Sequence, residues 1–249
     1  MKSLQIKIVK KIVLINQVSG YLFIDIANAF SSAGYDVILI AGSLVPRNTP
    51  LNNVISFDKI IKYNRNSVPS RIYSWVIGFI QILFKIWFKY RNHELFIVSN
   101  PPLAPMIPLF CRNKFSLLIF DVYIEKPEEL PVLKNMKILT SFWRKAHSKV
   151  FSKAERIFTL TEGMQQTILK YSGKKSAEIV PIWTDNEFLK PVPIEENPFI
   201  KEHHLENKFL ILYSGNIGTS SGVEMLVNIA AEIISEKIQF VIIGEGIRK

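Results

Sequence analysis

The chain has 249 residues, 48% of them hydrophobic and 21% charged, and this ordinary globular composition excludes a disordered or collagen-like protein. The single cysteine, Cys111, excludes an internal disulfide, and no Cys and His residues have the spacing of a zinc site, so a reducing compartment is expected. The net charge is +10, and residues 1–100 hold 12 Lys and Arg against 4 Asp and Glu, which favours an anionic partner such as a lipid surface.

The sequence also argues against export and against nucleic-acid binding. The first apolar run, Ile12–Ile15, is too short for the hydrophobic part of a signal peptide, so we expect a cytoplasmic protein. The basic residues are not accompanied by a recognition helix, a zinc finger or an aromatic RNA-binding pattern, so no nucleic-acid partner is expected.

The predicted elements alternate between strands and helices from the start of the chain. A strand at 11–15, a helix at 22–33 and a strand at 37–41 open it, and Gly34 ends the helix. Further short apolar runs predict strands at 54–57, 95–98, 117–120, 157–160 and 178–180, with helices between most of them. Continuous apolar strands of this kind indicate a parallel sheet covered on both faces, so the predicted fold class is α/β, doubly wound.

The segment Ile72–Tyr90 predicts an apolar helix with one narrow polar stripe. The stripe consists of Ser74, Gly78, Gln81, Lys85 and Lys89. Two interpretations remain open: a buried helix whose polar stripe is its solvent edge, or a helix in a membrane interface that uses its aromatic and basic residues over Trp75–Arg91. A transmembrane span is not expected, because the segment is short and contains a lysine.

Two carboxylates follow the predicted strand at 117–120. Asp121 comes directly after it and Glu125 lies four residues later. Open α/β sheets bind ligands at the carboxyl ends of their strands, where such a pair can position an acceptor hydroxyl or accept its proton. The alternative is that these are loop carboxylates paired with Lys126 or Arg144.

A proline-rich linker is predicted at 191–206, which divides residues 1–190 from a second unit, 207–249. That unit predicts a strand at 209–213, a glycine loop, a helix at 223–235 and a strand at 240–243. The loop contains Gly215, Gly218 and Gly222 ahead of the helix, where free N–H groups suit a phosphate, although a tight turn explains the glycines equally well. Ser221 and Glu224 have the spacing of a capping box.

The second unit is expected to be incomplete as it stands. One βαβ unit cannot bury both faces of its two strands, so we expect either a fragment of a longer protein or a partner chain that supplies the rest. The glycine spacing differs from the dinucleotide fingerprint, so NAD binding is not favoured.

Six motifs follow one another along the chain: SNPPL at 99–103, FDVYIEKPEEL at 120–130, AERIFTLTEGM at 154–164, VPIWTDNEFLKP at 180–191, YSGNIGTSSGVEML at 213–226 and FVIIGEGIRK at 240–249. In this order they resemble the motifs of GT-B glycosyltransferases of family 4, especially bacterial members that extend polysaccharides or lipid-linked glycans. The resemblance implies two facing Rossmann-like domains, with the acceptor in the first and a nucleotide-sugar donor in the second. It also implies transfer of a hexose with retention of configuration and without a metal or other cofactor.

The resemblance assigns roles to individual residues. Donor diphosphate binding falls to Ser214, Gly215, Asn216 and Gly218, with Gly20 approaching the donor, while Asp121 and Glu125 lie on the acceptor side. Many relatives carry an Arg or Lys where this chain has Thr219, Ser220 and Ser221, and the family's paired glutamates would lie beyond Lys249.

We therefore expect a truncated donor domain and little or no turnover by residues 1–249 alone, with the protein peripheral on the inner face of the membrane. The alternative is a non-catalytic membrane-associated subunit that docks a separate donor-binding chain.

Overall fold

The structure is a computed structural model that describes residues 10–64, 66–125, 137–173, 175–218 and 221–246. The chain divides into two compact units, Met1–Asp185 and Asn186–Lys249. The division falls before the predicted linker, so that residues 191–206 lie within the second unit and include a short helix, Pro198–Glu202.

The first unit is built on a parallel sheet. Its strands are β1 (Lys11–Ile15), β2 (Val18–Gly20), β3 (Asp36–Ala41), β4 (Ser43–Val45), β5 (Ser56–Lys59), β6 (Glu94–Val98), β7 (Phe115–Ile119), β8 (Ile157–Thr159) and β9 (Glu178–Ile179). Seven of them form one sheet in the order β5-β3-β1-β6-β7-β8-β9, while β2 and β4 pair separately. The predicted doubly wound α/β fold is confirmed, with every predicted strand of this unit present within a few residues.

Helices cover both faces of this sheet. They are α1 (Tyr21–Ser32), α2 (Val68–Phe88), α3 (Lys137–Lys153) and α4 (Glu162–Ser172), with a 3-10 helix at Ala104–Leu109. Side chains alternate along each strand, so in β1 Val13 and Ile15 enter one apolar cluster while Ile12 and Leu14 enter the other. The first cluster contains residues of α2, α3 and α4, and the second contains residues of α1.

The chain reverses its direction of travel across the sheet between β1 and β6. From β1 it proceeds to β3 and β5 on one side, and β6 then pairs with the other side of β1 and leads to β7, β8 and β9. Ligands of open α/β sheets bind outside the carboxyl ends of the strands at such a switch point. The loops after Ile15 and Val98 therefore form the edge at which a ligand is expected.

Helix α2 is oriented opposite to the solvent-edge interpretation, because its polar stripe faces the protein. Ser74 and Gly78 are buried, and the Lys85 Nζ lies 2.5 Å from Asp58 Oδ1. Gln81 Oε1 accepts a hydrogen bond of 2.7 Å from the Ile61 backbone N–H. Polar groups of β5 and of the loop that follows it satisfy the stripe, so apolar side chains are left on the outside.

The outward side of α2 is an apolar stripe at helical spacing. Its exposed residues are Tyr73, Val76, Ile80, Phe84, Trp87 and Phe88. The helix has 21 residues, which is longer than predicted, and it is the one helix in the described part of the chain that is long and apolar enough to cross a membrane. A third of its most apolar stretch is buried in the protein.

The second unit contains α5 (Pro198–Glu202), β10 (Phe209–Ser214), α6 (Val223–Glu232) and β11 (Ile238–Ile243). Strands β10 and β11 pair in parallel over their whole length, and the predicted strand, loop, helix and strand are all present. Large apolar side chains remain exposed here, including Leu212, Met225 and Ile234, whose side chain is fully exposed. This agrees with the expectation that one βαβ unit leaves its faces uncovered.

Candidate functional site

Buried polar residues line the carboxyl end of β1. Asn16, Gln17 and Ser19 are all at most 7% exposed. The Ser19 hydroxyl donates to the Asn16 carbonyl at 3.0 Å, and the Gln17 amide donates to the carbonyls of Ser74, at 2.9 Å, and Ile61, at 3.2 Å. The Gln17 Oε1 is buried and has no hydrogen-bond partner among the described residues.

Ser99, directly after β6, fixes the neighbouring loop that carries Asp121. Its hydroxyl oxygen accepts hydrogen bonds from the backbone N–H groups of Phe120 at 2.9 Å and Asp121 at 3.1 Å. Ser99 is 2% exposed, so these two bonds are shielded from water. One buried hydroxyl therefore ties the ends of β6 and β7 together and places the Asp121 carboxylate at the switch-point edge.

Asp121 and Glu125 have different partners in the structure. The exposed Asp121 accepts a hydrogen bond of 3.3 Å from the Tyr123 hydroxyl, and Glu125 lies 3.7 Å from Lys170 Nζ. Burial raises the pKa of the Tyr123 hydroxyl, and the nearby Asp121 charge raises it further, so this phenol keeps its proton at neutral pH. Arg144 donates to the Glu125 backbone carbonyl at 3.0 Å, and Lys126 lies outside the described residues.

Helix α3 holds the 123–125 loop from behind. The Trp143 indole donates to the Tyr123 carbonyl at 3.2 Å, and the Arg144 Nε donates to the Ile124 carbonyl at 3.2 Å. Ile124 is itself fully buried in the core. The loop that presents Asp121 is thus fixed at both ends, by Ser99 and by α3.

Gly20 lies at the same edge, as the last residue of β2 and the N-cap of α1. Its φ is −75°, and a Cβ added there would meet no atom within 4 Å. The fold therefore gives no steric or conformational reason for a glycine at this position. The missing side chain leaves open space at the end of β2.

In the second unit, the predicted phosphate loop follows β10. Ser214, Gly215 and Asn216 are exposed, and Gly218 is buried. The ladder between β10 and β11 continues into this loop, because the Gly215 and Ile217 N–H groups donate to the carbonyls of Ile243 and Glu245, each at 2.9 Å. These bonds give the loop a fixed course beside the end of β11.

The glycines after β11 are required by that close approach. A Cβ on Gly244 would collide with the backbone of Gly215, and a Cβ on Gly246 would collide with the backbone of Ile217. Gly244 and Gly246 are therefore structural residues that let the two loops pack backbone to backbone. Glu245, between them, has its carbonyl in the ladder.

The N-terminus of α6 differs from the predicted capping box. The N-cap is Gly222, with a left-handed φ of 64° and no side-chain cap, so the capping-box prediction is wrong. Ser221 instead donates its hydroxyl proton to the Gly218 carbonyl at 2.7 Å. A glycine meets the left-handed backbone at lower cost than serine. Thr219 and Ser220 lie outside the described residues.

No group of three or more His, Cys, Asp and Glu side chains in the described ranges could hold a metal ion. His147 is buried in α3, and burial lowers its pKa to about 4, so it is neutral at physiological pH. Its Nδ1 lies 3.1 Å from the Trp143 carbonyl and its ring packs on Trp143 and Phe151. These contacts give His147 a structural place in the core.

Sequence reasoning missed the buried polar residues Gln17, Ser19 and Ser99. A polar residue directly after an apolar strand was the available signal, as it was for Asp121. The structure also explains the glycine at position 78 of α2. A Cβ on Gly78 would lie 2.8 Å from the Gln17 Nε2, so this glycine makes room for the Gln17 amide. That contact joins residues 61 positions apart and cannot be inferred from local spacing.

Comparisons with known proteins agree with this geometry. The chain is 26% identical over 214 residues to the probable glycosyltransferase WbjE of Pseudomonas aeruginosa, covering 84% of this chain and 53% of WbjE. It therefore spans about half the length of that curated relative. No protein-family model matches the chain.

Solved glycosyltransferases have a similar fold. HepE of Anabaena, solved in complex with UDP, superposes with a TM-score of 0.63 at 11% identity, over 96% of this chain and 62% of HepE. WaaG, a glycosyltransferase involved in lipopolysaccharide biosynthesis, gives a TM-score of 0.55 at 14% identity, over 95% of this chain and 64% of WaaG. The chain is thus a homologue of a glycosyltransferase and has a GT-B-like fold.

Proposed function

We propose that the protein transfers a hexose from a nucleotide-diphosphate sugar to a lipid-linked or cell-surface polysaccharide acceptor, as family 4 GT-B enzymes do. The observation that carries the proposal is the similarity to WbjE along most of the chain. Two further observations support it: WaaG acts in lipopolysaccharide biosynthesis and HepE was solved with UDP, and both share the fold.

In this proposal the donor diphosphate binds at the loop Ser214–Gly218 and the N-terminus of α6. Free N–H groups and the positive end of a helix dipole are a general anion site, which suits the two phosphates without a metal ion. The Gly215 N–H is taken by the Ile243 carbonyl, so in this proposal Gly215 and Gly218 shape the loop. Ser214 and Asn216 are the exposed residues that face the ligand, and Gly20 leaves room for a ligand at the edge of the first unit.

The acceptor side falls to Asp121 and Glu125. The acceptor hydroxyl attacks the anomeric carbon, the bond from that carbon to the diphosphate oxygen breaks, and the hydroxyl proton passes to the departing phosphate. Asp121 orients the hydroxyl, while the Tyr123 phenol donates to the Asp121 carboxylate and holds it in one direction. Glu125, held by Lys170, is the second acceptor-side carboxylate.

A titration with UDP tests the donor site. Asn216→Asp adds a negative charge to an exposed loop residue without changing its shape, so UDP binding should weaken by about tenfold. Asn207→Asp is the matched control, since Asn207 is exposed at the opposite end of β10 and its variant should bind UDP like the parent. Equal weakening in both variants, or no binding of UDP or GDP by the parent, would contradict the proposed donor site.

Peripheral membrane contact through Trp75–Arg91 is the second part of the proposal. Phe84 and Phe88 are stacked and exposed on the outward stripe of α2, near the basic residues that close the helix. The double variant Phe84→Ser/Phe88→Ser should lower sedimentation with phosphatidylglycerol vesicles by about tenfold or more. Phe209→Ser, at a comparably exposed position in the second unit, should leave sedimentation unchanged.

The alternative function is that of a subunit that docks a separate donor-binding chain. The exposed apolar side chains of β10 and α6 favour it, because such surfaces mark interaction sites. Co-purification of a second chain from the source cell, lost in Leu212→Lys, would support this alternative. A monomer that binds UDP and transfers sugar alone would exclude it.

A further inference from the structure

An apolar groove of about 390 Å³ lies in the first unit, between α2, the 3-10 helix and α3. Every residue that lines it is apolar, with Trp75 and Phe79 from α2, Pro102 before the 3-10 helix, and Phe142 and Trp143 from α3 among them. Three separate elements contribute, so the groove is a feature of the folded unit. A cavity of this size and lining suits a hydrocarbon ligand.

The two ends of the groove differ in chemistry. Pro102 lies three residues after Ser99, so one end opens beside the edge that carries Asp121. At the other end Phe110 also lines a neighbouring pocket that contains Arg91 and Arg112, both exposed. The groove therefore leads from a surface with exposed positive charge to the candidate acceptor site.

The groove offers a ligand only apolar surface. The Trp75 Nε1 and the Arg71 Nε are buried without a hydrogen-bond partner among the described residues, and neither atom is exposed at the groove. The groove therefore suits the hydrocarbon part of a ligand, while the exposed Arg91 and Arg112 beside Phe110 supply positive charge for the phosphates of surrounding anionic lipids.

We propose that the groove binds one hydrocarbon chain of the phosphate-bearing lipid on which the acceptor glycan is carried. The chain enters from the membrane at the end with Phe110, whose neighbours Arg91 and Arg112 face anionic lipid phosphates. The lipid phosphate and its sugar then lie beyond Pro102, at the edge that carries Asp121. The proposal rests on the proposed function for the identity of the acceptor, and its test measures lipid binding without sugar transfer.

Bromine quenching of tryptophan fluorescence tests chain entry directly. The sequence has four Trp residues, so Trp87→Phe/Trp183→Phe leaves only Trp75 and Trp143, both of which line the groove. Vesicles of phosphatidylcholine and phosphatidylglycerol with dibrominated chains should quench most of this emission, and unbrominated vesicles should not. Sedimentation with the vesicles but no quenching would overturn the proposal, because the chains would then stay outside the groove. Failure to sediment at low salt would overturn it as well.

A pair of variants on α3 separates groove binding from general surface contact. Phe142 lines the groove and is 68% exposed, whereas Ile138, 86% exposed on the same helix, does not line it. Phe142→Asp should lower the apparent lipid affinity by about tenfold, and Ile138→Asp should leave quenching at matched bound protein unchanged. Equal effects of the two substitutions would contradict a specific groove.

A UDP titration distinguishes failure of lipid binding in the groove from failure of the proposed function. UDP titration on the same preparation reports the donor site, which the groove variants do not touch. Lost quenching with intact UDP binding overturns the groove alone, and quenching without UDP binding overturns the donor site alone. A dimer that forms through this face, detected by sedimentation velocity and abolished by Phe142→Asp, would also overturn lipid binding.

Discussion

The two units of the chain both contain βαβ motifs but bury their strands to very different extents. In the first unit β1 pairs on both sides and its residues Val13, Leu14 and Ile15 are completely buried. In the second unit β11 is the one strand in the described ranges that pairs with β10, and Phe209 and Leu212 are mostly exposed. The comparison teaches that the second unit is ordered mainly by its backbone ladder and glycine contacts, whereas the first is ordered by side-chain packing.

Truncating one leucine in each unit should give the largest difference in stability between the two units. Leu14→Ala should destabilise the protein by about 2–5 kcal/mol, since it leaves a cavity between the sheet and α1. Leu212→Ala, at an equivalent central position of β10, should cost less than about 0.5 kcal/mol, because its side chain is already in water. Urea unfolding of both variants measures the difference.

Equal losses of stability in the two leucine variants would break the comparison. They would mean that the face of β10 is covered in solution, for example by a second chain, as the alternative function requires.

Replacing the buried histidine of the first unit should give the next largest effect on stability. Burial lowers the pKa of His147 to about 4, so between that pH and its ordinary value near 6.5 the unfolded chain binds a proton that the folded chain does not. This group therefore stabilises the fold fully at neutral pH and loses that contribution as the pH falls toward 4. His147→Phe should gain about 3 kcal/mol relative to the parent between pH 7 and pH 4.

His203, exposed in the second unit, provides the control. His203→Phe removes an exposed side chain, so it should cost less than about 0.5 kcal/mol at neutral pH in urea unfolding monitored by fluorescence. If the unfolding free energies of His147→Phe and of the parent changed in parallel with pH, protonation of His147 would cost the folded state no stability, and the prediction would be wrong.

An ion pair in each unit gives the smallest expected effect. Burial alone would raise the pKa of Asp58, but hydrogen bonds from Lys85, Tyr90 and Lys89 outweigh it and leave the pKa lowered. Asp58→Asn should cost about 1–3 kcal/mol, because it leaves Lys85 without its partner in a half-buried site. The contribution is present above the ordinary Asp pKa and is lost as the pH falls through the lowered one.

The matched change in the second unit is Glu187→Gln. Glu187 lies 3.8 Å from Lys190 with both side chains mostly exposed, so less than about 0.5 kcal/mol is expected. Thermal unfolding of both variants at low and high salt checks the ranking. A larger effect at Glu187 than at Asp58 would contradict the view that buried contacts order only the first unit.

Much of the fold could be predicted because local signals were sufficient for it. Apolar runs gave the strands, and the parallel sheet followed from their continuity. The orientation of α2 could not be predicted, because it depends on which polar groups lie opposite the helix. Asp58 binds Lys85, and the backbone N–H groups of Ile61 and Asn64 donate to the stripe; none of these partners is visible in the helical wheel.

The candidate site was accessible in part for the same reason. Asp121 follows a strand and was found by that position, and the glycine loop was found by its composition. Gln17 and Ser99 act through contacts with residues distant in sequence, and the groove requires three elements together. The N-cap of α6 was misassigned because the sequence around Gly222 does not show that this glycine has a left-handed backbone angle.

The inward polar side of α2 also has a consequence for synthesis. All the groups described as binding that side, Gln17, Asp58 and the Ile61 backbone, precede the helix in the chain. They are already translated when residues 68–88 leave the ribosome, and N-terminal segments are the first to fold during synthesis. The partners of a helix with the length and composition of a membrane span are therefore synthesised before the helix itself. This order favours folding of the helix onto the protein over its insertion into a bilayer.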